Sequence, residues 1–124
     1  METQIAENTS GQGEGADIPP EIIRWNWGAF FLNWIWGIRN KTYIAFLCVV
    51  PIIGFVMMIV LGMRGNEWAW QNKHWESAEQ FLHEQKVWSK WGIRYAVLLL
   101  ILGLLGFILS PILTILASMH YKEY

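Results

Sequence analysis

The sequence predicts an all-α membrane protein: a Trp-rich interfacial or re-entrant helix, two transmembrane helices, and an amphipathic surface helix between them. Three observations carry this expectation. Residues 43–63 and 95–119 hold no charged side chain, and at about 1.5 Å per residue each run reaches across a hydrocarbon core of about 30 Å. Nine tryptophans in 124 residues, with 54% of the chain hydrophobic, exceed what an ordinary soluble domain carries. Finally, Trp25, Trp27, Trp34 and Trp36 crowd a stretch that is basic at both ends, and amphipathic indoles favour the headgroup level.

Taken in order, residues 1–20 place Glu2, Glu7, Glu14 and Asp17 among small polar residues and glycines, a composition that predicts a disordered acidic tail. The tail lacks the basic and apolar regions of a secretory signal, so insertion falls to the later segments. Residues 21–124 read as one α-helical membrane domain. Pro19, Pro20 and Glu21 suit a first helical turn, which predicts a helix over 22–38. At about 100° per residue, Asn26, Ala29, Asn33, Gly37 and Asn40 share one stripe of it. Asn26 and Asn33 are candidate helix-packing residues, because an amide in lipid needs another helix, the chain's own backbone or headgroup water. The segment spans roughly 25 Å, marginal against a hydrocarbon core of about 30 Å, so it reads as an interfacial or re-entrant helix or as a short, tilted span.

Arg39, Asn40 and Lys41 predict a water-exposed turn before the first transmembrane helix, 43–63, with a kink at Pro51 and a close approach at Gly54. Cys48 reads as a small buried hydrophobe, and as the only cysteine it excludes an intramolecular disulfide. Arg64, Gly65 and Asn66 carry stop and start signals, predicting an amphipathic helix over 66–91. In projection Trp68, Trp75, Ala78, Phe81, Leu82 and Trp88 form its apolar arc, and Lys73, Glu76, Glu79, His83, Glu84 and Lys90 its polar one. Trp91, Gly92, Ile93 and Arg94 then supply an interfacial anchor, a bend and a snorkelling cation ahead of the second transmembrane helix, 95–119. There Gly103, Gly106 and Ser110 line a helix-packing side, and Pro111 predicts a kink. The expected membrane-interface set is Trp25, Trp27, Trp34, Trp36, Trp68, Trp75, Trp88 and Trp91.

Chemistry is sparse in this pattern. Glu76, Glu79 and His83 are weak candidate metal ligands within about 60° of one another on a helix, but position 87 is Val rather than the second His of a zincin helix. No catalytic residue and no cofactor is expected. A net charge of −1 argues against nucleic acid as a partner. The expected partners are the lipid bilayer and other membrane proteins or a second copy of the chain. Between residues 64 and 94 lie five basic residues, Arg64, Lys73, Lys86, Lys90 and Arg94, which places this stretch on the cytoplasmic side by the positive-inside rule.

The runs WNWGAFFLNWIWGIRNKTYIAF and PIIGFVMMIVLGMRGNEWAWQNKHWESAEQF resemble small bacterial membrane proteins related to the DUF2628 family, over roughly half the chain. The resemblance implies a multi-pass protein of the bacterial inner membrane. Some relatives carry an amino-terminal zinc ribbon, for which this chain lacks the cysteine pairs. Together these readings lead us to expect a non-enzymatic scaffold, sensor or partner-binding subunit. The alternatives are a membrane-tethered enzyme, following the ribonuclease-type label of some relatives, and a small oligomeric pore.

Overall fold

The computed structural model describes residues 8–123, and among them every regular element is helical. A 3-10 turn at Pro20–Ile22 precedes α1 (Trp27–Arg39); a 3-10 helix at Tyr43–Val49 precedes α2 (Ile53–Asn72); α3 is Ala78–Lys122. The chain divides into two units, Met1–Ile93 and Arg94–Tyr124.

Of the expected acidic tail, residues 1–7 lie outside the described residues, and from residue 8 to the 3-10 turn the segment is irregular chain. The Gly11 and Gly13 N–H groups donate to the carbonyls of Trp70 and Gln71, at 2.7 and 2.8 Å. Ser10 Oγ accepts the Trp75 N–H at 2.7 Å. Gly11 has φ +74°, and a Cβ there would stand 2.9 Å from the His74 backbone nitrogen, so this seam admits only glycine. The segment is held by these backbone bonds, by side-chain bonds of Asn8, Thr9 and Ser10 with residues 70–75 and by Ile18 packed against the core, pairings that composition does not register.

α1 starts later than the prolines predict. After the 3-10 turn, Asn26 is the N-cap, its side chain accepting the Ala29 N–H at 2.9 Å, which satisfies one of the orphan donors of a helix start. Within α1, Asn33 leaves helical geometry (φ 25°, ψ −98°), and its Oδ1 takes the Trp34 N–H at 2.8 Å. The side chain competes with the helical ladder there.

The expected 43–63 helix is divided. Its first part is the 3-10 helix, and Val50 is extended, as a residue before proline prefers. Ile52 has φ 70° and ψ −61°, and the Ile53 N–H donates to the Pro51 carbonyl at 2.8 Å, a γ-turn of the strained, positive-φ kind. Pro51 therefore breaks the helix instead of kinking it. α2 then runs through Arg64, Gly65 and Asn66, where a boundary was expected. Gly62 faces the Trp25 indole, and a Cβ at Gly65 would lie 2.9 Å from that of Ala29. These glycines serve close packing in mid-helix and not a cap.

The amphipathic stretch is likewise two pieces. α2 ends at Asn72 and α3 begins at Ala78. Ser77 Oγ accepts the Gln80 N–H at 3.1 Å while Gln80 Oε1 accepts the Glu76 N–H at 3.1 Å, a reciprocal cap close to a capping box. The 95–119 run lies inside α3, as do Gly92 and Pro111.

The first unit is built on Ile22, Trp36, Leu61, Trp70, Trp75 and Phe81, all buried. Phe81 meets the Trp70 and Trp75 rings edge-on, at centroid distances of 5.6 and 4.8 Å, the arrangement that ring quadrupoles favour. In the second unit the large apolar side chains from Val97 to Met119 are exposed. α3 is long and apolar enough to cross a membrane: its most apolar 18-residue window has a mean hydropathy of 2.8, with no side chain buried.

Candidate functional site

Four side-chain amides meet inside the first unit. Asn26 Nδ2 donates to Asn66 Oδ1 at 2.6 Å and to Gln85 Oε1 at 2.8 Å. Gln85 Oε1 also accepts from Trp36 Nε1 at 2.8 Å, and Gln85 Nε2 donates to Asn40 Oδ1 at 2.9 Å. The outer donors end on backbone: Asn40 Nδ2 on the Trp36 carbonyl and Asn66 Nδ2 on the Ile22 carbonyl, both at 2.8 Å. All four amides are buried, and among the described residues no buried side-chain nitrogen or oxygen lacks a partner. A fully satisfied polar network fixes one arrangement of the elements it joins, here the α1 cap, the turn after α1, α2 and the start of α3.

Asn26 thus hydrogen-bonds to α2 and α3 through Asn66 and Gln85, while Asn33 turns to its own backbone. Asn40 was placed in a water-exposed turn and Asn66 at a helix cap; both are interior. Gln85 was missed. It sits four residues after Phe81, on the buried face of α3, and that single polar residue at core spacing was the signal available.

The tryptophans expected at the membrane interface separate into two groups. Trp36 and Trp75 are buried within the protein, with Trp75 Nε1 donating to the Ala69 carbonyl at 2.9 Å. Trp68 and Trp88 are half-buried against the same core. The apolar arc of the amphipathic stretch therefore faces protein, because α1 presents glycines to receive it: a Cβ at Gly28 would lie 2.6 Å from that of Trp88. Trp25, Trp27, Trp34 and Trp91 remain exposed. Trp25, Trp27, Phe30 and Phe31 form one ring cluster with centroids 4.9–5.9 Å apart, and Trp34 stacks on Phe46. In the second unit, a Cβ added at Gly103 or Gly106 would meet nothing within 4 Å, and the Ser110 carbonyl accepts from Thr114 Oγ1 at 2.8 Å.

Glu76, Glu79 and His83 do not come together as a ligand group. Glu76 precedes α3 and so leaves the helical register that aligned the three; among the described residues no group of three or more His, Cys, Asp or Glu side chains is placed to hold an ion. Cys48 is half-buried and free.

Two of the clefts in the first unit differ in the charge of their lining. One, of about 690 Å³, is lined by Asp17, Glu21 and Glu76 together with Trp70 and the Pro19–Pro20 corner. The other, of about 420 Å³, has Arg24, His83 and Lys86 around its mouth and the amides of Asn26, Asn66 and Gln85 within it. Comparison with protein families, with curated proteins and with solved structures finds no match to this chain.

Proposed function

We propose that the protein is a non-enzymatic, partner-binding or scaffold subunit of the bacterial inner membrane, anchored by residues 95–119. The observation that carries the reading is the exposed apolar surface of that run, charge-free and with no side chain buried in its most apolar window. Such a surface requires lipid or protein to cover it. Gly103 and Gly106 leave room for another helix, while Phe107, Leu113 and Leu116 offer bulk suited to lipid.

The first unit supports a monotopic partner to this crossing. Val49, Val50, Ile52, Ile53 and Phe55 form an exposed, charge-free apolar turn, and the Trp25–Phe31 ring cluster has the composition of an interfacial belt. The backbone break at Pro51 disfavours a bare crossing by 43–63, because lipid-exposed irregular backbone is costly in hydrocarbon. On this reading 43–55 enters the membrane as a re-entrant turn and 95–119 makes the single crossing, in place of the multi-pass arrangement that two spans would give. Lys86, Lys90 and Arg94 precede that crossing and Lys122 follows it, which orients the first unit to the cytoplasm. The resemblance to bacterial membrane proteins supports the same location.

Photoreactive side chains at Phe107 and Gly103 of the full chain test this in cells. Lipid adducts at Phe107 and a membrane-protein adduct at Gly103 are expected. Adducts with soluble proteins alone would contradict the reading. In a Cys48→Ala background, a thiol introduced by Ser77→Cys is expected to resist an impermeant reagent until lysis.

A further inference from the structure

The geometry points to the cleft between Arg24 and Lys86 as a binding site for a phosphate group, of the kind carried by an anionic phospholipid headgroup. The protein as a whole is slightly acidic, at net −1, yet Arg24, His83 and Lys86 converge on one cleft of about 420 Å³ whose lining contains no carboxylate among the described residues. The acidic side chains Asp17, Glu21 and Glu76 line the other cleft instead. Charge is thus sorted within the first unit, and a concave site of one sign concentrates counter-ions of the other.

Arg24 is held in place. Asn66 Nδ2 reaches the Arg24 carbonyl at 3.4 Å as well as that of Ile22, tying this backbone to α2. The guanidinium donates from Nε and Nη2 to the Glu21 carbonyl, at 3.2 and 3.0 Å, and its Nη1 has no hydrogen bond to a described residue. A guanidinium carries five N–H donors in a rigid fork, so the two N–H groups of Nη1 remain for a phosphate oxygen. Across the cleft Lys86 is exposed and supplies a second, flexible cation, and Ser89, one turn further along α3, supplies a hydroxyl. The amides within the cleft are committed to one another, so they set its shape while the rim supplies the charge.

The rim also argues for the source of the phosphate. Trp25 lines the cleft and belongs to the exposed ring cluster, 5.5 Å from Trp27 and from Phe30. A cationic pocket edged by interfacial aromatics matches the level at which a headgroup phosphate lies above acyl chains. Only this choice of source rests on the membrane reading; the phosphate chemistry stands on the cleft itself.

Full-length protein purified in a mild non-ionic detergent is incubated with phosphatidylglycerol or with phosphatidylcholine, and the retained lipid is counted by native mass spectrometry. Inorganic phosphate is titrated in a parallel arm, with chloride at matched ionic strength as its control. Retention of phosphatidylglycerol over phosphatidylcholine is expected, falling about tenfold to thirtyfold in the Arg24→Gln/Lys86→Gln variant, as two lost cations at a headgroup imply. Both side chains are exposed, and unchanged helical circular dichroism checks that the variant folds. A Lys41→Gln/Lys122→Gln variant, outside the cleft, is expected to retain lipid as the parent does. Saturable phosphate binding without lipid retention, lost in the Arg24/Lys86 variant, would also uphold the site and assign it to a free phosphate. Equal retention of both lipids together with no phosphate binding, or binding that the Arg24/Lys86 variant keeps, would overturn it. Failure of the membrane reading would show separately, as protein that needs no detergent to stay in solution.

Discussion

Gln85 accepts from two donors on one oxygen, Asn26 Nδ2 and Trp36 Nε1, and donates to Asn40. Removing it strands an indole N–H and an amide oxygen in the interior, where each unpaired group costs about 1–3 kcal/mol. Gln85→Leu is therefore expected to destabilise the first unit by about 2–4 kcal/mol, read from guanidinium unfolding in detergent. Glu84→Gln, its neighbour outside the network, is expected to change stability by less than about 0.5 kcal/mol; equal effects would show that the network does not hold the unit. Only Asn26 of this cluster was legible in the sequence, because an amide on an apolar helix demands a partner. Asn40 shares its stripe but sits between Arg39 and Lys41, and those charges made it read as a water-exposed turn. The identity of that partner was not legible, because Asn66 fits a cap as well as a contact and Gln85 interrupts an apolar arc without breaking it. Which donor meets which acceptor depends on non-local packing.

At the scale of elements, glycines fix how closely helices approach. A Cβ at Gly28 would come within 2.6 Å of the Trp88 Cβ and 2.7 Å of its carbonyl carbon. Backbone does not yield as a side-chain tip does, so Gly28→Ala is expected to cost about 1–3 kcal/mol as overpacking. Gly103→Ala meets nothing within 4 Å and is expected to be neutral or stabilising by up to about 1 kcal/mol, since Ala is the better helix former. Unfolding of the two variants side by side checks this, and a Gly28→Ala protein as stable as its parent would contradict the packing. Helical type was legible almost everywhere, from the charge-free runs and the 3.6-residue arcs. Element edges were less so. Ser77 and Gln80 had the spacing of a capping box, yet the apolar arc ran through them in good register and masked the break at residues 73–77. At Pro51 the opposite happened: an uninterrupted apolar run concealed a γ-turn, because hydropathy records burial preference and not backbone hydrogen bonding.

For the molecule as a whole, the composition already implied lipid, and the structure divides that apolar surface unevenly. Trp36, Trp70 and Trp75 are spent on the first unit's own core, so the tryptophan count overstated the aromatic belt, and Trp25, Trp27, Trp34 and Trp91 are what remain for an interface. The 95–119 run keeps its apolar side chains exposed along its length; by the same arithmetic that identified it in the sequence, it is long enough to cross. The central claim is that this run is buried in a bilayer, and alkaline carbonate extraction of membranes from cells making the full chain tests it most directly. The account predicts that the protein stays in the membrane pellet through carbonate and high-salt washes and leaves only with detergent. Release of most of it into the carbonate supernatant would contradict the account.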